Sequence, residues 1–222
     1  MFEDLERELG GRSGAVFSAG SGVTQVGGLA SSPAWSTIKV PLAIAALGDG
    51  LETLAVRAIT ESDNDSASAL WESLGPPDVA AAAVERVLVA AGDTETRVQT
   101  EVVQPPYTPF GQTQWTLAAQ QRFAAGLSGV PGAEPVLELM RRVVPEQRWG
   151  LATIDPGAAI KGGWGPDPPG RALVRQFGIF TAKGTRVAAA IANEPEDGAY
   201  ETGAANLSRI AEWVRSESLA ER

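Results

Sequence analysis

The feature that most constrains this chain is the distance between its two β-rich ends. Near the start, "GAVFS" (14–18) and "VTQVG" (23–27) read as short strands separated by the turn-rich "AGSG" (19–22). The β pattern returns only with "AAIKGGW" (158–164), "RQFGIFT" (175–181) and "TRVAAAIAN" (185–193), the last two joined by a tight "AKG" connection. A two-stranded unit buries too little to stand alone, so the two portions must meet in one sheet. Everything between them is then an insertion.

That insertion reads as helical. One helix begins near "SSPAWSTIKVPLAIAAL" (31–47), and another follows "ESDND" (61–65). A third runs from about Asp78, a good N-cap after Pro76-Pro77, to the stop at Gly92. Segments 116–127 and 135–144 carry apolar stripes at helical spacing. The prolines of "QTEVVQPPYTPFGQTQ" (99–114) break both periods and mark a loop. Helices also open and close the chain, through Phe2, Leu5 and Leu9 and through Leu207, Ile210, Ala211 and Val214. The expected fold is α+β, an α/β/α sandwich: residues 1–33 plus 157–222 form a sheet-and-helix domain, and 34–156 an inserted helical domain. No internal repeat interrupts this layout.

Two absences then narrow the chemistry. The chain has no histidine and no cysteine. A Ser-His-Asp triad, thiol catalysis, disulfides, and zinc sites built on imidazole or thiolate are therefore all excluded. A serine nucleophile would need another base, and lysine is the usual alternative. No metal or cofactor is expected. The net charge of −9 disfavours a nucleic-acid surface. No apolar run reaches membrane-spanning length, and "MFEDLEREL" is acidic, unlike a secretory signal, which leaves either a cytoplasmic protein or a trimmed mature form.

Against that background three short motifs matter. Ser36 is the only serine followed three places on by a lysine, Lys39, and the chain has just three lysines. The flanks Ala34, Trp35, Ile38, Val40 and Leu42 are apolar. A lysine there is partly desolvated, which lowers its pKa and lets the neutral amine take a proton from a serine. The plain structural alternative is a solvated lysine on a helix. Next come Ser62-Asp63-Asn64, which would also serve as a helix N-cap, and Lys161-Gly162-Gly163, which would also suit a strand end running into a glycine turn. All three in this order are harder to dismiss than any one.

In this order, "STIK", "SDN" and "KGG" resemble the S-x-x-K, S-D-N and K-[TS]-G set of class A β-lactamases and penicillin-binding proteins. The resemblance covers nearly the whole chain and implies terminal helices packed on a mostly antiparallel sheet with a helical insertion. It implies that Ser36 is the acylated nucleophile, Lys39 its base, and Ser62 the relay of a proton to the leaving nitrogen. Asn64 would hold the substrate amide, and Lys161 would face a substrate carboxylate and hold Ser62. Gly163 completes the motif, and the backbone N–H groups of Ser36 and Trp164 would form the oxyanion hole.

Three departures qualify this. Gly162 stands where the motif has a hydroxyl residue, and Arg171 or Arg175 is the candidate replacement, a surface role being the alternative for both. Only 26 residues separate Ser36 from Ser62, so one wall of the cleft is expected to be cut down. The water-activating glutamate of class A enzymes lies in T-R-x-D-x-x-E-x-x-x-N. Thr96 and Arg97 match, but Gln99, Val102 and Pro106 occupy its last three defined positions. Glu101 is one residue early, either reaching the site through a bulge or standing as a solvated loop carboxylate.

The expected function is a serine hydrolase or acyltransferase acting on β-lactams or a peptidoglycan-like peptide. The alternative is a binding module that kept the fold and lost the chemistry. The expected partner is a small molecule or peptide, with no nucleic acid, and the chain is expected to be a monomer. The resemblance points to a periplasmic, secreted or lipid-anchored protein with its signal removed.

Overall fold

In the computed structural model the two ends of the chain do meet, in a five-stranded antiparallel sheet of order β2-β1-β7-β6-β5. The structure describes residues 1–19, 22–48, 50–166 and 170–220. Gly20 and Ser21, in the middle of the expected "AGSG" turn, lie outside them. The chain opens with α1 (Phe2–Leu9), β1 (Arg12–Ala19), β2 (Gly22–Val26) and β3 (Ser31–Pro33). A single 3-10 turn (Trp35–Ile38) then leads into α2 (Lys39–Ala46), α3 (Glu52–Thr60), α4 (Asn64–Ser73) and α5 (Pro77–Ala90). After a long loop come β4 (Gln114–Thr116), α6 (Leu117–Gly126), α7 (Glu134–Arg141) and α8 (Leu151–Ile154). The chain closes with β5 (Ala159–Pro166), β6 (Ala172–Ala182), β7 (Thr185–Glu194) and α9 (Tyr200–Ala220).

Pleating sorts the sheet into two faces. Val16, Leu173, Phe177 and Ala190 join the large core shared with the helices of the insertion. Phe17, Val174, Phe180 and Ile191 join the smaller core under α9, with Phe2 of α1. On β5 the alternation puts Ala159 on the first face and Ile160 on the second. Lys161 and Gly163 therefore point toward the helical insertion, and Gly162 and Trp164 toward α9.

Several local expectations shift by a residue or more. Asp78 lies in the first turn of α5, whose N-cap is Pro76, because a proline at the first helical position needs no donor of its own. The helix after "ESDND" begins inside that stretch, at Asn64, with Asp63 as the cap accepting from the Ser66 N–H at 2.7 Å. α3 and the short pair β3–β4 were not legible in the sequence. α6 packs across β1, β6 and β7. No helix among the described residues is long and apolar enough to cross a membrane.

Candidate active site

Ser36 sits in the 3-10 turn and Lys39 is the first residue of α2. Residues three apart eclipse in a 3-10 turn, which keeps the two on one side. Pro41 is tolerated in the first helical turn, where an N–H would lack an intrahelical partner. Both Ser36 and Lys39 line a cleft of about 640 Å³.

The three motifs converge on the hydroxyl of Ser62. Lys161 Nζ donates to Ser62 Oγ at 2.9 Å, and Lys39 Nζ reaches the same oxygen at 3.5 Å. Lys39 Nζ also donates to the Ser62 carbonyl at 2.5 Å and to Asn64 Oδ1 at 2.7 Å. Lys161 spends a second donor on its neighbour's carbonyl, Gly162 O, at 3.0 Å. Ser62 carries φ 62 and Trp35, just before Ser36, carries φ 47, both in the left-handed region that side chains avoid. The third such residue among those described, Lys183, is at a hairpin tip. Strain of this kind persists only where surrounding contacts hold it. Here two lysines grip Ser62, while Trp35 is packed edge-on against Tyr107 with centroids 5.0 Å apart.

Both amines are desolvated. Lys39 is 2 % exposed, and burial lowers its pKa from 10.5 to about 8, while the charge of Asp63 pulls it partly back up. Lys161 is 0 % exposed; burial first, and the charge of Lys39 second, hold it well below the usual lysine range. Neither amine has a carboxylate among its hydrogen-bond partners here. An amine with its pKa lowered to about 8 therefore lies 3.5 Å from the Ser62 hydroxyl.

The glycines of "KGG" have different reasons. A Cβ on Gly163 would stand 2.9 Å from Ser36 N and 2.9 Å from Ala34 O, so β5 passes directly under the backbone of the Ser36 turn. Gly162 faces the other way, and a Cβ there would lie 2.6 Å from the ring of Trp149. Trp149 belongs to an aromatic group with Trp164 and Tyr200, centroids 6.4 and 6.5 Å away, and donates from Nε1 to the Tyr200 hydroxyl at 3.0 Å. A side chain at 162 would thus collide with the indole of Trp149.

The candidate replacements do not enter the cleft. Arg175 is fully buried, and its guanidinium donates to Ser32 O, Ser32 Oγ, Pro33 O, Trp115 O and Gln120 Oε1 at 2.7–3.0 Å. It tethers the segment leading into the Ser36 turn, and Gln120 continues the link by donating to Thr37 Oγ1 at 3.0 Å. The expectation of a substrate contact for Arg175 is corrected on this point: both terminal nitrogens bond inside the fold, and Nε is buried without a partner. Arg171 is exposed, precedes β6, and stands against the turn at Gly198 instead of the cleft. Glu101 is exposed and is likewise absent from the cleft lining; its N–H is tied to Gln99 Oε1 at 3.0 Å, which holds the turn without aiming the carboxylate inward.

The cleft also uses residues that motif reading passed over. Tyr107 and Phe110 come from the proline-rich loop, and Asp65 and Ser68 from α4. The loop is fastened by Gln112, whose amide accepts from Gln104 N–H at 2.6 Å and donates to Tyr107 O at 2.9 Å. Two aromatics inside a polar, proline-broken segment were the available signal. No cluster of three or more metal-ligating side chains occurs among the described residues.

No protein-family model and no curated protein sequence matches the chain. Solved structures do. A β-lactamase from Chitinophaga pinensis superposes with a TM-score of 0.80 at 15 % identity, covering 97 % of each chain. A variant of the class A β-lactamase of the last common ancestor of Gram-negative bacteria gives 0.74 at 20 % identity, covering 99 % of this chain and 97 % of its own. The TLA-3 extended-spectrum β-lactamase gives 0.75 at 13 % identity, covering 97 % and 98 %. Similarity in shape over essentially the full length, together with the α+β layout, shows that this chain has a class A β-lactamase-like fold.

Proposed function

We propose that the protein is a serine acyl-enzyme hydrolase or acyltransferase in which Ser36 is the nucleophile. The observation that carries this reading is the Ser62 hydroxyl in reach of two desolvated amines, in the same cleft that Ser36 lines. Neutral Lys39 takes the proton of Ser36 as its Oγ attacks an acyl carbonyl carbon. Ser62, in reach of both lysines, returns a proton to the leaving atom. The N–H of Ser36 and that of Trp164 stabilise the oxyanion; β5 is an edge strand, which leaves alternate N–H groups of its backbone without a sheet partner. Asn64 orients the substrate amide and Lys39 together. Release of the acyl group is slow, since Glu101, the nearest match to the water-activating glutamate, stands outside the cleft.

Intact-mass measurement after incubation with a penicillin or an activated acyl ester tests this. The expected result is one covalent adduct per chain that persists for minutes and is absent in Ser36→Ala. An adduct that survives in Ser36→Ala refutes the assignment. Absence of any adduct with every acyl donor favours the binding-module reading.

A further inference from the structure

The charge and shape of the cleft go further than the identity of its nucleophile. Among the described lining residues only Lys39 and Asp65 bear ionisable groups of opposite sign, and Lys39 is drawn toward neutrality by burial. Lys161 does not line the cleft: it is fully buried behind Ser62. Arg175 is turned into the fold, Arg171 lies at the Gly198 turn, and a side chain at 162 would collide with the ring of Trp149. Beside the polar groups of Ser36, Ser62, Asn64, Ser68 and Thr108, the lining is apolar: Trp35, Pro106, Tyr107, Phe110 and Pro166. An anionic group entering here would give up water and meet Asp65, with no guanidinium in the described lining to offset its charge and only neutral hydroxyls such as those of Ser68 and Thr108. An uncharged aromatic or aliphatic group would gain from burial at about 25 cal/mol per Å².

On the acyl-enzyme reading above, we infer that the site takes uncharged carboxylic esters with an aromatic or apolar substituent and discriminates against acyl donors that carry a carboxylate. The step balances with what the site holds. Ser36 Oγ bonds to the ester carbonyl carbon as its proton passes to Lys39 Nζ. The bond from that carbon to the alcohol oxygen breaks, and the alcohol leaves with a proton delivered through Ser62. Water then adds to the acyl carbon, the carboxylic acid departs, and its bond to Ser36 is replaced by the restored hydroxyl.

A matched pair of substrates tests the inference: p-nitrophenyl butyrate and the mono-p-nitrophenyl ester of succinic acid, with a chromogenic cephalosporin as a second carboxylate-bearing donor. Pre-steady-state release of p-nitrophenolate reports acylation, and intact mass locates the adduct. The neutral ester is expected to acylate at least about tenfold faster than either anionic donor, equivalent to about 1.4 kcal/mol. Asp65→Lys, at an exposed position of α4, is expected to narrow that gap at least about threefold, with Asp65→Asn intermediate. Equal or faster acylation by the succinate ester, with the adduct on Ser36, overturns this inference and leaves the nucleophile intact. An unchanged ratio in Asp65→Lys overturns the part assigned to Asp65. Release that persists in Ser36→Ala overturns the acyl-enzyme reading and this inference with it.

Discussion

At the scale of single residues the site is organised around Ser62, whose backbone is strained and whose oxygens are claimed by two lysines. The proposed roles of those lysines differ in a way that chemistry can separate. Lys39 must lose a proton, and its neutral form accumulates as pH rises toward and past its folded pKa of about 8. The acylation rate of the wild type is therefore expected to climb with pH through that region and then level off. Asp63 holds the pKa of Lys39 up, so Asp63→Asn, which keeps a capping side chain, should move the climb to lower pH. Lys39→Arg is expected to abolish acylation at every pH, because a guanidinium does not deprotonate in proteins. Lys161→Arg keeps the charge and should lose less. Equal losses in the two variants, read by stopped-flow acylation, would argue against separate roles.

At the scale of elements, the position of Ser36 depends on what is packed around its turn. β5 runs beneath it with no side chain at Gly163 to push the two apart. From behind, Arg175 on β6 binds the carbonyls of Ser32, Pro33 and Trp115, and so ties β3, β4 and the sheet to the entry of the turn. Replacing it with methionine keeps most of its volume but strands several buried carbonyl acceptors at once. Each unpaired acceptor costs about 1–3 kcal/mol, so Arg175→Met is expected to lower stability by about 3 kcal/mol or more. Urea denaturation measures this. A change within about 0.5 kcal/mol would show that the guanidinium contributes little to the fold.

For the molecule as a whole, the site is a cost that the rest of the fold must offset. Burial moves Lys39 from an ordinary 10.5 to about 8, which disfavours the folded state by about 3 kcal/mol at neutral pH. The sign follows from proton counting. Between these two pKa values the unfolded chain holds a proton on Lys39 that the folded chain has lost, so stability rises with pH across that window. Lys39→Met removes the penalty together with the proposed base. It is expected to be more stable than the wild type at pH 7, by about 1–2 kcal/mol after the lost hydrogen bonds are counted. That advantage should shrink by about 2 kcal/mol on moving to about pH 9.5. A stability difference that stays constant with pH would mean that Lys39 is not desolvated as the structure has it.

How much of this was legible beforehand follows from which forces act locally. The two-ended sheet, the terminal helices and the three motifs are written in the order and periodicity of the chain, because a strand or helix must show its apolar face in its own residues. The absence of histidine and cysteine had already pointed to lysine as the usual alternative base for a serine. Ser36 and Lys39 stood out by spacing and rarity, and Ser62 and Lys161 were proposed from the resemblance of their motifs to the β-lactamase set. The roles of Gly162, Arg171, Arg175 and Glu101 could not be read that way. Whether position 162 had room for a hydroxyl depended on Trp149, which comes from a different part of the chain. Whether an arginine near the motif faced substrate or core depended on strand pleat and on carbonyls more than a hundred residues away. The sequence by itself determined which groups could do chemistry and the order of the elements that carry them. Only the tertiary structure decided which of those groups share one cleft, because side-chain direction and desolvation are set by neighbours that the local sequence does not contain.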